Sequence, residues 1–299
     1  MLRTEGLKKK YGRVEALADL TLDVPEGAVF ALIGPNGAGK TTAIKIVMNL
    51  LRATAGRAEV LGVDSRKLGP AELAQVGYVS ENRRLPGWMS AGYFFSYCKG
   101  FYPAWRDGDL AELVRLYDLP LDRPLKAMSR GMRIKAAMAA ALAYRPRLLV
   151  LDEPFGGLDV LVREEVIESI LERTAESTVF LASHDLAELE SFATHVGYLD
   201  QGRIQFVEEM GALSERFREV EVVLETAAEL PPNLPPAWLN AEQSSLVVRF
   251  VHSRYEEARC AAEIRQFLPG AHDISARAIP LRAIFVALAK SAKKNHRGS

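Results

Sequence analysis

The amino-acid sequence predicts an α/β domain with a mostly parallel sheet, followed by a smaller α+β appendage. Three short apolar runs indicate the sheet: residues 28–33, 148–151 and 178–182. Uninterrupted apolar runs of this length are typical of strands buried on both faces. Helix-like segments alternate with strand-like ones through the first two thirds of the chain, which is the pattern of a layered α/β fold.

Further elements can be placed along this domain. A helix is expected over residues 42–51, after the first apolar run. Residues 85–144 are typical of a helical subdomain, rich in aromatic residues at its start and in alanine at its end. Residues 196–199 and 203–206 predict two strands joined by a tight turn at 200–202.

After about Gly211 the character of the sequence changes. Strands are predicted at 219–224 and 245–251, with a proline-rich stretch between them. Helices are predicted at 255–267 and 281–290. The last residues are polar, as is typical of a disordered terminus. The sequence therefore predicts a large domain at 1–210, a small α+β accessory domain at 211–292 and a disordered tail at 293–299.

Composition narrows the range of partners and locations. The chain carries 38 Lys and Arg residues against 38 Asp and Glu residues, so its formal net charge is zero. Nucleic-acid binding usually needs a basic excess, and we expect no nucleic-acid partner. The charged start does not resemble a secretory signal, and the apolar runs are far shorter than the ~20 residues that span a bilayer. We therefore expect a cytoplasmic protein whose membrane role comes through a partner.

A glycine-rich segment follows the first apolar run. Residues 34–41 read Gly-Pro-Asn-Gly-Ala-Gly-Lys-Thr and match the phosphate-loop pattern GxxxxGK[ST] between a strand and a helix. Glycines let backbone N–H groups turn toward phosphate oxygens, and the helix N-terminus adds positive charge. Lys40 can reach the β- and γ-phosphates, and the Thr41 hydroxyl can bind Mg²⁺. The sequence thus predicts a P-loop NTPase sheet that binds nucleotide through Gly34, Asn36, Gly37, Ala38, Gly39, Lys40, Thr41 and Thr42.

Two carboxylates, Asp152 and Glu153, end the second apolar run. Ligands of such sheets bind outside the carboxyl ends of the strands. Asp152 is expected to hold Mg²⁺, and Glu153 to orient and deprotonate the water that attacks the γ-phosphate. Alone, the pair could be an ordinary loop, but together with the phosphate loop it indicates nucleotide hydrolysis.

Three further segments identify a family. Met128-Ser129-Arg130-Gly131-Met132 opens an alanine-rich helix, Asp159 ends Gly156-Gly157-Leu158-Asp159, and Ser183-His184-Asp185 follows the third apolar run. With these motifs in this order, residues 1–206 resemble the nucleotide-binding subunit of ABC transporters. Tyr11-Gly12 resembles the aromatic loop of that family.

This resemblance implies a function and a set of roles. An ABC subunit hydrolyses ATP in a head-to-tail dimer with two nucleotides between the protomers. Ser129 and Gly131 would contact the γ-phosphate bound by the other protomer, while Asp159 would lie along the seam. His184 would contact the γ-phosphate and steady the water, and Tyr11 would stack on adenine. Simpler roles remain open: Tyr11 could pack on a strand, Ser129 could only cap a helix, and Asp159 could be a turn residue.

Two positions depart from the family pattern. The signature usually reads Leu-Ser-Gly-Gly-Gln, whereas Arg130 and Met132 replace its first glycine and its glutamine here. Glu81 stands after residues 76–80, where the family has glutamine, and its carboxylate would also bind Mg²⁺.

The resemblance also implies an integral membrane partner and a second ATPase subunit, identical or paralogous, at the inner face of the cell membrane. The aromatic residues of 86–97 could form the groove for that membrane partner or could be the core of the helical subdomain. The altered signature and residues 281–288 resemble bacterial drug exporters, which favours export. The alternative is a soluble ABC ATPase of translation or DNA maintenance, although the zinc motifs, coiled coil and paired domains of such proteins are absent from the sequence. A GTPase is disfavoured because the Asn-Lys-x-Asp signature is also absent.

Overall fold

The structure, a computed structural model, forms two compact units. The larger comprises residues 1–185 and 192–207, and the smaller comprises 186–191 and 208–299. The residues that the structure describes are 1–80, 85–156, 158–174, 177–184, 189–226, 230–231 and 233–297. Glu81, Gly157 and Asp185 therefore lie outside the described residues.

One large sheet forms the centre of the larger unit. Its strands are β1 (Leu2–Tyr11), β2 (Val14–Val24), β3 (Val29–Ile33), β4 (Ala55–Val60), β5 (Val63–Asp64), β6 (Val76–Ser80), β7 (Leu148–Asp152), β8 (Thr178–Ser183), β9 (His195–Asp200) and β10 (Arg203–Glu209). They are ordered β5-β4-β1-β2-β10-β9-β3-β8-β7-β6.

The half of the sheet that contains β9, β3, β8, β7 and β6 is parallel, as the three apolar runs predict. Every residue of β7 and β8 is buried. Phe30 of β3 packs on Phe180 of β8 with ring centroids 5.9 Å apart. The predicted fold class is therefore confirmed.

In the other half of the sheet, β10 was predicted and pairs in parallel with β2. The antiparallel strands β1, β2, β4 and β5 were not predicted. β1 pairs with both β2 and β4, and β4 pairs with β5. Gly12, with φ of 58°, makes the tight turn between β1 and β2. In β2, buried Leu20, Leu22 and Val24 alternate with exposed residues, which is the signal of a half-buried strand.

Six helices of the larger unit are described. They are α1 (Lys40–Val47), α2 (Pro70–Leu73), α3 (Ala91–Lys99), α4 (Asp107–Leu116), α5 (Arg130–Leu142) and α6 (Val160–Arg173). α3, α4 and α5 lie between β6 and β7, where the sequence predicts a helical subdomain. α1 is shorter than predicted, because Asn49 adopts a left-handed backbone with φ of 55°.

The smaller unit contains a four-stranded antiparallel sheet with order β12-β13-β11-β14. Its elements are α7 (Met210–Arg216), β11 (Arg218–Leu224), β12 (Trp238–Ser244), β13 (Val247–His252), α8 (Glu257–Phe267), β14 (Ala271–Ala278) and α9 (Leu281–Arg297). The sequence predicts β11 and β13 but neither β12 nor β14. The structure continues α9 to Arg297, whereas the sequence predicts a disordered tail from residue 293.

The core of the smaller unit lies between this sheet and α8. Val220, Val222 and Phe250 of the sheet pack with Ile264 of α8, and all four are buried. The Trp238 ring stacks on Phe250 with centroids 4.0 Å apart. Across the described residues of both units, we find no helix with the length and hydropathy needed to cross a bilayer.

A tight turn between β9 and β10 supports the phosphate loop through backbone contacts. Gln201 and Gly202 have φ of 47° and 71°, as in a two-residue hairpin turn of mirror-image type. The Gly202 N–H donates to the Ala38 carbonyl at 3.0 Å, and its carbonyl accepts from the Ala18 N–H at 2.9 Å. A Cβ added at Gly202 would lie 2.8 Å from the Ala18 nitrogen, so a side chain does not fit there.

Gly202→Ala should lower the free energy of unfolding more than Gly62→Ala. Gly62 has φ of 79° in the equivalent turn between β4 and β5, but a Cβ there would meet nothing within 4 Å. Both variants should lose about 1 kcal/mol from the left-handed backbone, and Gly202→Ala about 1–3 kcal/mol more from overpacking. Urea unfolding measures both values, and equal losses would contradict the close packing of this turn on β2.

Candidate active site

The phosphate loop lies between β3 and α1 and borders an open cleft of about 500 Å³. Gly37 and Gly39 have φ of 83° and 110°, a backbone region that favours glycine. The cleft is lined by Ala16, Asn36, Gly37, Ala38, Gly39, Lys40, Thr41, Thr42, Glu153 and His184. Gly34 instead packs against β9, where an added Cβ would lie 2.0 Å from the Leu199 carbonyl oxygen.

Lys40 is nearly buried at the bottom of the loop, with 6% of its side chain exposed. Its Nζ donates to the Gly34 carbonyl at 2.8 Å and to the Pro35 carbonyl at 3.3 Å. Glu153 Oε1 lies 3.3 Å from the same Nζ. The ammonium group is therefore held by the loop itself and balanced by the carboxylate after β7.

Thr41 and Asp152 bring two oxygen groups together beside the loop. The Thr41 hydroxyl donates to Asp152 Oδ1 at 2.8 Å. Ser80, which was not predicted as a site residue, donates to Asp152 Oδ2 at 3.4 Å. Hydroxyl and carboxylate oxygens are the hard donors that Mg²⁺ prefers, and Mg²⁺ sites of nucleotide enzymes need only one or two carboxylates. This donor set fits Mg²⁺, although the described residues contain no group of three or more His, Cys, Asp or Glu side chains suited to a metal.

Burial raises the pKa of Asp152, whose residue surface is only 2% exposed. The hydrogen bond from Thr41 acts in the opposite direction and lowers that pKa. The neighbouring charge of Glu153 raises it further. The ionised form of Asp152 is therefore disfavoured by its surroundings, and a cation beside it would relieve this cost.

Glu153 connects Lys40 to His184. Its φ of 52° is unusual for a residue other than glycine, and such strain is concentrated at functional sites. Its N–H donates to the Ala182 carbonyl at 2.9 Å. Glu153 Oε2 lies 2.7 Å from His184 Nδ1, and since a carboxylate can only accept, Nδ1 carries the proton. The carboxylate is thus fixed by one partner on each oxygen and still borders the cleft.

Tyr11 lies at the end of β1, beside the turn that leads into β2. Its surface is 48% exposed, and Lys9 Nζ lies 5.1 Å from the ring centroid. Tyr11 is not among the described residues that line the cleft, whereas Ala16 of β2 is. Stacking of Tyr11 on adenine stays a prediction.

Ser129, Gly131 and Asp159 lie at the starts of two neighbouring helices. The exposed Ser129 caps α5 by accepting a hydrogen bond from the Met132 N–H at 3.2 Å. The exposed Asp159 caps α6 in the same way, accepting from the Val162 N–H at 2.9 Å. None of the three is among the described residues that line the cleft of their own protomer.

Comparison with known proteins identifies the family. The profile of the family described as ABC transporter matches residues 17–156. The daunorubicin resistance ATP-binding protein DrrA2 of Streptomyces coeruleorubidus is 35% identical over 239 residues, which are 77% of this chain and 74% of that protein. The chain belongs to the ABC transporter ATP-binding proteins. As an ABC ATPase, it binds and hydrolyses ATP.

Other relatives and structures agree with this assignment. The lantibiotic transport ATP-binding protein SrtF of Streptococcus pyogenes is 34% identical over 68% of the chain and 89% of that protein. The sulfate/thiosulfate import ATP-binding protein CysA of Xylella fastidiosa (strain 9a5c) is 36% identical over 69% of the chain, but the match spans only 62% of that protein. A solved ATP-binding subunit of an ABC transporter is 26% identical with a TM-score of 0.66, covering 72% of this chain and 92% of that one. These names agree with the transporter interpretation of the sequence rather than with translation or DNA maintenance.

Asp152→Asn should make this ABC ATPase more stable and much less active. The pKa of Asp152 in the folded protein lies above its ordinary value, so this carboxyl stabilises the fold at pH values below that ordinary pKa. This contribution to the free energy of unfolding is lost as the pH rises through the folded-state pKa. At pH 7–8, without Mg²⁺ or nucleotide, the neutral variant should therefore have the higher unfolding midpoint. The rate of ATP hydrolysis should fall about a hundredfold or more.

The matched control is Asp23→Asn. The Asp23 side chain is 64% exposed and pairs with Arg3 at 3.6 Å, so its replacement should change stability by less than about 0.5 kcal/mol. An Asp152→Asn protein that is less stable than its parent at pH 7–8 would contradict the stated cost of the buried carboxylate.

Proposed function

We propose that this ABC ATPase is the motor subunit of an exporter. It would hydrolyse Mg²⁺–ATP as a head-to-tail dimer and act on a separate integral membrane subunit at the inner face of the membrane. The observation that carries the proposal is the position of Glu153, fixed between Lys40 and His184 at the edge of the cleft. A carboxylate held in this way can accept a proton from a water molecule next to a phosphate.

The residues of the cleft divide the work of hydrolysis. The loop N–H groups and Lys40 would bind the phosphates, and Thr41 with Asp152 would hold Mg²⁺, which would supply positive charge to the phosphate oxygens. Glu153 would orient and deprotonate the attacking water. His184 positions that carboxylate through its Nδ1–H, and its backbone N–H, 3.3 Å from Glu153 Oε2, supports the same oxygen.

A dimer would complete the site. Ser129 and Asp159 are exposed caps that do not line the cleft of their own protomer, so they are available to a second one. A helix N-terminus with exposed N–H groups suits a phosphate. A solved ATP-binding cassette, MJ0796, bound to ADP and phosphate as a dimer, has the same fold, with a TM-score of 0.62 and 23% identity.

An exposed aromatic surface offers a site for the membrane partner. Within residues 86–97 and the turn after α3, some large apolar side chains are buried and serve the subdomain core, namely Met89, Phe94 and Phe95. Others lie at least half exposed and form what we call the aromatic surface: Trp88, Tyr93, Tyr97 and Phe101. The Trp88 and Tyr93 rings lie 5.8 Å apart, and the Tyr97 and Phe101 rings 5.1 Å apart. Exposed aromatic clusters of this kind are typical of protein contacts.

Export is favoured over import by the relatives. DrrA2 is named for daunorubicin resistance and SrtF for lantibiotic transport, and the chain covers 74% and 89% of these proteins. It covers only 62% of CysA, which is named for import. The altered signature at Arg130 and Met132 supports the same direction.

Glu153→Gln should bind ATP, fail to turn it over and accumulate as a dimer. The amide cannot accept the proton of the attacking water, while the loop that binds the phosphates is unchanged. ATP binding, phosphate release and sedimentation with ATP measure the three effects, and we expect turnover to fall about a hundredfold or more. Glu26→Gln is the control, because Glu26 is 70% exposed and pairs only weakly with Arg147 at 3.4 Å. Hydrolysis by Glu153→Gln at the parental rate would show that Glu153 is not the base.

Trp88→Ser should reduce the amount of this protein that co-purifies with an integral membrane protein. Trp88 is 69% exposed, so its loss should remove contact area without weakening the core. Leu50→Ser is the control, since Leu50 is 62% exposed on another part of the larger unit. Recovery of the membrane protein equal to that of the parent would exclude Trp88 as part of the contact.

A further inference from the structure

The smaller unit has an open sheet edge at β14. One side of β14 pairs with β11, and no strand pairs with its other side among the described residues. β14 is eight residues long, and all but its first residue are exposed. Such an edge presents a row of backbone N–H and C=O groups to which another strand can add.

The opposite edge strand of the same sheet, β12, contacts α9. The Asn240 side chain of β12 donates to the Ala287 carbonyl of α9 at 3.1 Å. Ile284 and Phe285 of α9 are buried. α9 thus contacts the edge strand β12, whereas nearly all residues of the edge strand β14 are exposed.

The two faces of β14 differ in chemistry. Ile274 and Ala276 lie opposite the buried core residues Val222 and Val220 of β11, so they belong to the apolar face. Asp273, Ser275 and Arg277 lie on the other face, where Arg277 forms an ion pair with Glu219 of β11. Ile274 is 38% exposed, so the apolar layer extends to the open edge.

We propose that β14 pairs in antiparallel fashion with β14 of a second copy of this chain, centred on Ser275. In this register Asp273 lies opposite Arg277 of the second copy, and the two-fold symmetry repeats the pair. Centring on Asp273 or Arg277 would oppose like charges instead. A shift by one residue would place apolar residues opposite polar ones on the wrong face. Centring on Ile274 or Ala276 would keep the faces aligned but would pair neither Asp273 nor Arg277 with an opposite charge. The charges of this strand therefore favour a second copy in the register centred on Ser275.

The contact would join two four-stranded sheets into one of eight strands. On the apolar face, Ile274 would lie beside Ala276 of the second copy, which extends the layer formed by Val220 and Val222. The pairing needs no nucleotide, because none of its residues lies in the cleft. It is therefore distinct from the ATP-dependent dimer proposed above, and either could fail without the other.

Cysteine cross-linking tests the register in the full-length protein. Ser275→Cys, in a chain with Cys98→Ser, should form an intermolecular disulfide without ATP, because residues opposite in antiparallel strands have Cβ atoms about 5 Å apart. Ala278→Cys is the control, since it leaves the Asp273–Arg277 pair intact and the two copies of residue 278 would be about 20 Å apart along the strands. Equal cross-linking of the two variants, or none by Ser275→Cys, would overturn the proposal.

A charge reversal tests the pairing without a disulfide. Asp273→Arg would oppose Arg277 of the second copy twice per dimer while leaving the Arg277–Glu219 pair of each chain intact. The dissociation constant of the nucleotide-free dimer should rise about tenfold, as measured by sedimentation, whereas Asp273→Glu should leave it near the parental value. A circular dichroism spectrum equal to the parent's would show that the variant is folded. A parental protein that stays monomeric without ATP, or an unchanged constant for Asp273→Arg, would overturn the proposal.

Discussion

The ion pair between Lys40 and Glu153 is the interaction on which the site depends. Both side chains are largely removed from water, and a buried charge without its partner is costly. The pair forms because the phosphate loop follows β3 and Glu153 follows β7, and in a parallel sheet these strand ends share one edge. β8 lies between β3 and β7 in the sheet, and His184 follows β8. His184 therefore completes the group formed by Lys40 and Glu153. One carboxylate thereby links the exits of three neighbouring strands.

Backbone contacts hold the loop itself. Gly39 lies so close to β2 that an added Cβ would be 2.4 Å from the Ala16 carbonyl oxygen. Gly202 bonds to Ala38 of the loop and to Ala18 of β2. The antiparallel strand β2 therefore does more than enlarge the sheet, because it forms one wall of the cleft and fixes the loop next to it.

Signals that are local in sequence could be predicted, and those created by long-range contacts could not. The phosphate loop, the acidic pair and the apolar runs of β3, β7 and β8 are each contained in a few consecutive residues. Ser80 and Ala16 join the site only because β6 and β2 bring them there. β14 was missed because nearly all of its residues are exposed, so the sequence has no buried face to reveal it. The aromatic segment stayed ambiguous because composition cannot tell that Phe95 faces the core while Trp88 faces solvent.

The two interpretations of Ser129, helix cap and phosphate contact, are compatible on physical grounds. A cap side chain satisfies one of the four N–H groups that a helix leaves without a partner in its first turn, here that of Met132. The remaining N–H groups of α5 keep their partial positive charge at an exposed position, and no acidic residue in that turn offsets it. Arg130 adds a full positive charge at the same end. The cap that stabilises α5 thus also fixes the orientation of the donors that a phosphate from a second protomer would meet.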